Sequence, residues 1–540
     1  MFQMNPFRSV VVVSLMLLSG VSFGQSDLSF GDKARRGKDM IEARHFFLNN
    51  NTQGALSAYR RIVTEYPDYA KAYMKCSEAA FELHRYDIAR EYFEKGKSVD
   101  ANIVDKDETL LAGKIFHRLE MLDEAEEWYN KYLKNAKGSD AKLAQRYLDE
   151  VLRVREAQKA PLDVQFTWLG ESVNSRYDDY SPILINNGNT LIFGTRRPQS
   201  TGSLIDMKGD HKYYEDIFFS TKENGEWSQA KSIPGKVNTI YHDGVLGASE
   251  DGSLMYVYKN NDRVQGDIYF SKKGKNGEYG IPRRFEEINS SYYEGSVSFT
   301  SDGTKAYFIS ERKGGIGQGD IWVISKNGND WDEPVNVGPV VNTTGDEKFV
   351  FIHPNGNSLV FASNGGEGFG DYDLYRTDIV NGEYTRPVNL GYPINSVGEE
   401  STFSLSQDLN TLFLSTERKD AMGERDIYSV DLSKVNLIDK PVASDPSLGV
   451  LKGVVVNVQG EGLTNVEVNL INIMGKVVQT STTDASGNFE FETRMDQPFE
   501  LEAKPKGYLT KSEKVDFSEV EGGYMVKNLL VQKLAETIQE

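Results

Sequence analysis

Five aspartates, Asp216, Asp267, Asp320, Asp373 and Asp426, each open a short apolar run, written DIFF, DIYF, DIWV, DLYR and DIYS, and the last four recur at a constant interval of 53 residues. Four strands with their turns need roughly 40 to 50 residues, so a period of this length predicts one small sheet per repeat, arranged as propeller blades around a common axis. Turns of the Asp/Asn-Gly type precede a strand at Asn187-Gly188-Asn189, Asp251-Gly252-Ser253, Asp302-Gly303-Thr304 and Asn355-Gly356-Asn357, while the fifth repeat has Asp408-Leu409-Asn410 and lacks the glycine. Such turns followed by aromatic and β-branched residues predict hairpins. Outer strands ending in Val-Asn or Ile-Asn follow at Asn238, Asn289, Asn342 and Asn395, four endings for five repeats. The missing one stands upstream, in VQFTWLGESVN ending at Asn174. A closed five-bladed ring over residues 162–434 results if this early segment supplies the outer strand of the last blade, which also removes exposed sheet edges.

The chain of 540 residues is long enough for three or four domains. It carries 80 acidic against 61 basic residues, a net charge of −19, which disfavours nucleic acid and anionic membranes as partners. Residues 1–24 have Arg8, an apolar run from Val10 to Leu18 and small residues at Ser22 and Gly24, and read as a secretory signal cleaved before Gln25. The run is too short for a membrane span of about 20 residues, and no cysteine stands at the cleavage point to take a lipid. The one cysteine, Cys76, excludes an internal disulfide and reads as a small buried hydrophobe. The mature protein is expected in an envelope compartment or outside the cell, with no direct membrane span.

Residues 32–158 are helical in pattern and repeat weakly at 34 to 36 residues, with Gly54-Ala55, Ile88-Ala89 and Glu124-Ala125 starting the second helix of each pair. Small alanines let helices approach while Tyr59, Tyr92 and Tyr129 fill the gaps between pairs, as in tetratricopeptide repeats. A helix from Ser139 to Ala157 is expected to cap this short solenoid. Residues 435–448 hold Pro441, Pro446, Ser444 and Ser447 and read as a linker. Residues 449–533 alternate apolar and polar positions, predicting an antiparallel β-sandwich of about seven strands, and 534–540 form a polar tail. The expected fold is thus multidomain: an all-α tetratricopeptide solenoid, an all-β propeller and a β-sandwich.

Three segments resemble known families. SDGTKAYFISERKGGIGQGDIWVIS, residues 301–325, resembles the TolB-like (PD40) propeller repeat. Residues 449–516, with Gly453-Val454-Val455, Val466 to Leu470, and Thr483-Asp484 leading to Gly487-Asn488-Phe489-Glu490-Phe491, resemble the carboxypeptidase regulatory-like domain, a transthyretin-like sandwich without catalytic residues. The order signal, tetratricopeptide helices, propeller and sandwich resembles the PorE-type periplasmic proteins of type IX secretion and gliding in Bacteroidota. That resemblance implies a non-enzymatic scaffold held near the outer membrane by a protein partner, a PorP-type β-barrel or another secretion or gliding component. The OmpA-like domain typical of that group has no counterpart before Glu540, so direct peptidoglycan binding is not expected.

Candidate partner-binding residues fall in three sets. Asp179, Asp243, Glu294, Glu347 and Glu400 precede the first strand of each blade and form either an acidic ring at one mouth of the channel or acceptors for loop N–H groups. Arg196, Arg197, Arg312, Lys313, Arg418 and Lys419, in the loop before the Asp-led strand of alternate blades, pair with that ring or bind an anionic partner. The insert Pro198 to Tyr214, with Lys208, His211 and Lys212, departs from the repeat, and such loops suit recognition.

Catalytic chemistry finds little in the sequence. The six histidines lack metal-ligand spacing, and no nucleophile elbow or phosphate-cradling loop is present. No cofactor or metal is expected; Asp371 and Asp373 beside Gly366 lack the further oxygens calcium needs. The competing readings are an envelope glycosidase or lyase using two ring carboxylates such as Asp243 and Glu294, and a binding protein exported across the outer membrane.

Overall fold

A computed structural model describes residues 28–198, 201, 203–261, 264–328, 330–353, 356–380, 382–406, 409–418, 421–435, 448–473, 475–494, 498–516 and 524–533. The expected signal segment, Lys419, most of the linker and the tail lie outside them. The chain divides into two compact units, Met1–Val435 and Asn436–Glu540.

The first unit opens with seven helices: α1 (Phe30–Leu48), α2 (Thr52–Glu65), α3 (Ala70–Glu82), α4 (Tyr86–Val99), α5 (Lys106–Arg118), α6 (Leu122–Leu133) and α7 (Gly138–Ala157). Turns of three residues join α1 to α2, α3 to α4 and α5 to α6, and each pair packs together. Ala55, Ala72, Ala79, Ala89, Ala112 and Ala125 are wholly buried, which brings helix backbones close. Tyr59 and Tyr129 fill the spaces between pairs, whereas Tyr92 is only half-buried, against Tyr73. Asn51 and Asp105 cap α2 and α5 by accepting hydrogen bonds from first-turn N–H groups. Cys76 is buried on α3, and burial pushes its thiol up to about 12, so it behaves as a core residue.

Five antiparallel sheets follow, led by the strands Asp179–Ile185, His242–Ala248, Glu294–Phe299, Glu347–Ile352 and Thr402–Leu405. In each, the second strand pairs with the first and with the third, and the third carries the recurring aspartate, which opens it in every sheet but the second, where the strand starts at Val264. Leading strands of successive sheets are neighbours, and that of the fifth neighbours that of the first. Hydroxyls join some of these strands directly: Val350 N–H donates to Ser296 Oγ of the preceding sheet at 3.1 Å, and Ser181 N–H donates to Thr402 Oγ1 at 3.0 Å, between first and fifth sheets. The segment Gln165–Trp168, ahead of the first sheet, is the fourth strand of the fifth, with Thr167 opposite Ser429 and Trp168 opposite Tyr428.

The asparagine that ends each outer segment acts as a pincer. Its amide oxygen accepts from the N–H, and its amide nitrogen donates to the C=O, of the residue after the recurring aspartate: Asn238 on Ile217, Asn289 on Ile268, Asn342 on Ile321 and Asn395 on Leu374, all at 2.7–3.0 Å. Asn174 makes the same pair of bonds to Ile427, at 2.8 and 2.9 Å, across a separation of 253 residues. The aspartates themselves cap the preceding loop; Asp320, Asp373 and Asp426 accept from the N–H groups three and four residues before them.

Where the fifth repeat lacks its glycine, Leu409 takes the left-handed conformation itself, with φ of 56°, matching Gly252 at 63° and Gly303 at 65°. Its side chain is buried, which offsets a backbone cost of roughly 1–2 kcal/mol.

The second unit holds two four-stranded sheets. Leu451, Val455, Val468, Leu470, Phe491 and Leu501 are among the residues of its core. The arrangement is not wholly antiparallel, as the alternation suggested. Tyr524–Val526 and Leu529–Val531 both run parallel to Leu448–Asn457, because three-residue strands at the end of the chain add to an edge without a hairpin. No helix among the described residues is long and apolar enough to cross a membrane.

Candidate interaction site

Two kinds of position occur in the sheets, those that repeat and those that do not. The five leading carboxylates belong to the first kind, and all are at most 1% exposed. Each accepts a hydrogen bond from the hydroxyl and from the backbone N–H of the residue four earlier: Ser175 for Asp179, Thr239 for Asp243, Ser290 for Glu294, Thr343 for Glu347 and Ser396 for Glu400. Sixteen residues on, Ser310, Ser363 and Thr416 add a further hydroxyl to the three glutamates. The set is therefore not an exposed acidic ring. Its oxygens are spent on closing the loop between one sheet and the next, which also removes Asp243 and Glu294 as an exposed acid and base.

The basic residues divide likewise. Arg197 bonds Asp179 at 2.6 Å and Arg312 lies 3.3 Å from Glu294, each also donating to the carbonyl just before a pincer asparagine. Arg418 stacks on Phe166 and donates to the Pro393 carbonyl. In the second sheet Lys259 does the work of the arginine, bonding Asp243 and the Val237 carbonyl. The fourth sheet has Gly365 at the arginine's place, where even a Cβ would lie 1.9 Å from Thr343 Oγ1. Glu347, buried without that cation, is pushed up to about 7. Arg197 and Arg312 thus neutralise buried carboxylates, whereas Arg418 is engaged by aromatic rings and a carbonyl. Arg196, which forks onto Asp210, is likewise engaged. Lys313 is exposed.

The insert is folded against its surroundings. Lys212 bridges Asp178 of the first sheet and Glu424 of the fifth, Asp206 meets His242 of the second, and His211 Nε2 lies 3.2 Å from the Asn49 carbonyl between α1 and α2. Burial alone would raise Asp178, but Arg425 and Lys212 outweigh it and hold its carboxyl below the ordinary range. Lys208 is exposed at the insert's turn, where its backbone N–H donates to Asp206.

The helices rest on loops that depart from the repeat. Phe369 stands where the third sheet has Ile316 and the fifth has Met422. Those two are 38% and 43% exposed, whereas Phe369 is 7% exposed and packs with Val397 into the helical core. Around this plug Arg118 of α5 bonds Asp371 and the Val397 carbonyl, and Arg153 of α7 donates to the Gly368 carbonyl at 2.8 Å. Asp371 is thus an ion-pair partner, and no cluster able to hold a metal is present among the described residues. At the α3–α4 turn, His84 bonds Glu417 of the fifth sheet, and Tyr86 donates to the other oxygen of the same carboxylate at 3.0 Å. Burial would lower His84, but its hydrogen bond and charge interaction with Glu417 prevail and raise it. Glu417 is correspondingly lowered.

Beside this contact a cleft of about 800 Å³ opens between the turns after α3 and α5 and the loops of the fifth sheet, within the size range of ligand sites. Leu83, Ile88, Leu119, Val397, Ala421 and Met422 are its apolar lining, and Arg85 and Arg176 line it as well. Of the candidate partner-binding residues named from sequence, Arg418 lines this cleft, whereas Arg85, Arg176 and Met422 were not singled out. The available signal was departure from the 53-residue pattern at Gly365, Phe369 and Met422.

No family model and no curated protein matches the chain. Among solved structures, local likeness extends to the first TPR domain of the human RPAP3 protein (16% identity, 22% of this chain and 94% of that one, TM-score 0.21) and the TPR2B domain of yeast Sti1 in its pHsp70 complex (16%, 22%, 97%, 0.20). It extends also to 3-chlorocatechol 1,2-dioxygenase from Rhodococcus opacus (12%, 17% of this chain, TM-score 0.15), 62% of whose length the chain spans. Scores this low decide neither fold nor function. What stands is a multidomain chain with, among the described residues, seven helices followed by β-sheets.

Proposed function

We propose that the five sheets are blades of a closed β-propeller, that the helices are a tetratricopeptide solenoid resting on its loops, and that the second unit is a transthyretin-like sandwich. The cyclic order of leading strands and the Asn174 pincer support the ring. On this reading the protein is a non-enzymatic periplasmic scaffold. Its partner, as the PorE-type resemblance implies, is an outer-membrane barrel of the PorP type or another secretion or gliding component.

The observation that carries this reading is where the chain departs from its own repeat. Repeated polar positions are consumed internally, while the irregular loops and helix turns build a cleft suited to holding another protein. A photo-crosslinking residue at Met422, in cells of the native host, should capture an envelope protein of the outer membrane or secretion machinery. Capture of none, or accessibility of the chain to protease on intact cells, would refute the periplasmic scaffold.

A further inference from the structure

We infer that the cleft takes an extended acidic segment of a protein partner, one in which carboxylates alternate with apolar side chains; this rests on the scaffold reading and names its ligand.

Uncommitted positive charge at this cleft points to such a ligand. The two deepest carboxylates bordering the cleft are already engaged: Glu417 holds His84 and Tyr86, and Glu424 holds Lys212. Asp87 lies 3.5 Å from Arg90, and the exposed Glu120 accepts a hydrogen bond from Gln158 Nε2 at 3.4 Å. The guanidinium groups of Arg85 and Arg176 are exposed, and among the described residues neither has a carboxylate within ion-pair distance. They come from different parts of the fold, Arg85 from the turn after α3 and Arg176 from the loop entering the first sheet, so the docking of helices on sheets is what brings both to one cleft. On a chain with a net charge of −19, they are two exposed cations without an acidic partner lining one cleft, Arg176 lying over the Tyr177 ring. A guanidinium fork binds carboxylate in a bidentate manner, and the apolar lining of the same cleft, with Met422 43% exposed, suits an apolar side chain set between two acids.

The test uses the full chain without its signal and, as probe, a fluorescein-labelled six-residue peptide of alternating Leu and Glu, followed by fluorescence anisotropy. Saturable binding is expected, weakened at least tenfold in the Arg85→Glu/Arg176→Glu double variant. That variant should instead bind the matching Leu and Lys peptide. Because both side chains are exposed, its circular dichroism and melting temperature should stay those of the parent, which separates lost binding from lost folding. Absence of saturable binding to the parent chain, or equal binding by parent and double variant, overturns the inference. If photo-crosslinking from Met422 still captures the envelope partner in that case, the scaffold reading survives and only the acidic ligand falls.

Discussion

Glu347 and Glu294 occupy the same place in adjacent sheets and differ in one neighbour, and that difference sets their energetics. Arg312 compensates Glu294, so Arg312→Met should leave a buried charge unpaired and cost about 3 kcal/mol in denaturant unfolding. Glu347 has hydroxyls but no cation, and burial raises it from 4.5 to about 7. Its folded-state pKa lies above the unfolded one, so the stability it contributes is present below about pH 4.5 and is lost as pH rises through 7. Glu347→Gln should accordingly raise stability by about 2 kcal/mol at pH 8 and by little at pH 4, read as the difference between denaturation midpoints of variant and parent. The five carboxylates were legible as a set because each stands at the start of a repeat, the last three at intervals of 53 residues. Their partners were not, because a serine or threonine four residues earlier looks like any turn residue, and Gly365 reads as loop composition until the arginine missing from its place is noticed.

At the scale of elements, the ladders were largely readable from period and turn chemistry, and the joints between sheets were not. A pincer asparagine ending an outer strand looks like a turn signal; only in space does it stand in for a missing strand edge. Each pincer satisfies one buried N–H and one buried C=O, so its loss should cost about 2–3 kcal/mol. Asn342→Ala and Asn174→Ala should then be equally destabilising in urea, although one bridges 21 residues and the other 253. A neutral Asn174→Ala beside a costly Asn342→Ala would mean that the early strand is not held. The parallel pairings of the second unit escaped sequence reasoning because strands of three residues carry too little alternation to assign a direction.

At the scale of the molecule, helices and sheets behave as one compact unit, which composition alone had divided in two. Phe369 explains this: a glycine-rich loop reads as surface, yet its one aromatic is driven into the helical core. The His84–Glu417 contact makes this docking sensitive to pH. With His84 raised by Glu417, against the opposing effects of burial and Arg118, the pair is charged at low pH and weakens as pH rises past the histidine's raised value. Hydrogen exchange at the α3–α4 turn should be slower at pH 6 than intrinsic rates predict, the protection should fall at pH 8, and His84→Ala should abolish the difference.

Closure of the ring by a strand from before its first sheet underlies the proposed propeller. Thr167 and Ser429 are directly opposed in that pairing, at a separation a disulfide can span, and the buried Cys76 offers no competing thiol. In the Thr167→Cys/Ser429→Cys variant, mild oxidation of the folded chain should form an intramolecular cross-link in nearly every molecule, seen as a shift in non-reducing gel mobility. Free thiols persisting at both positions in folded protein would contradict the closure.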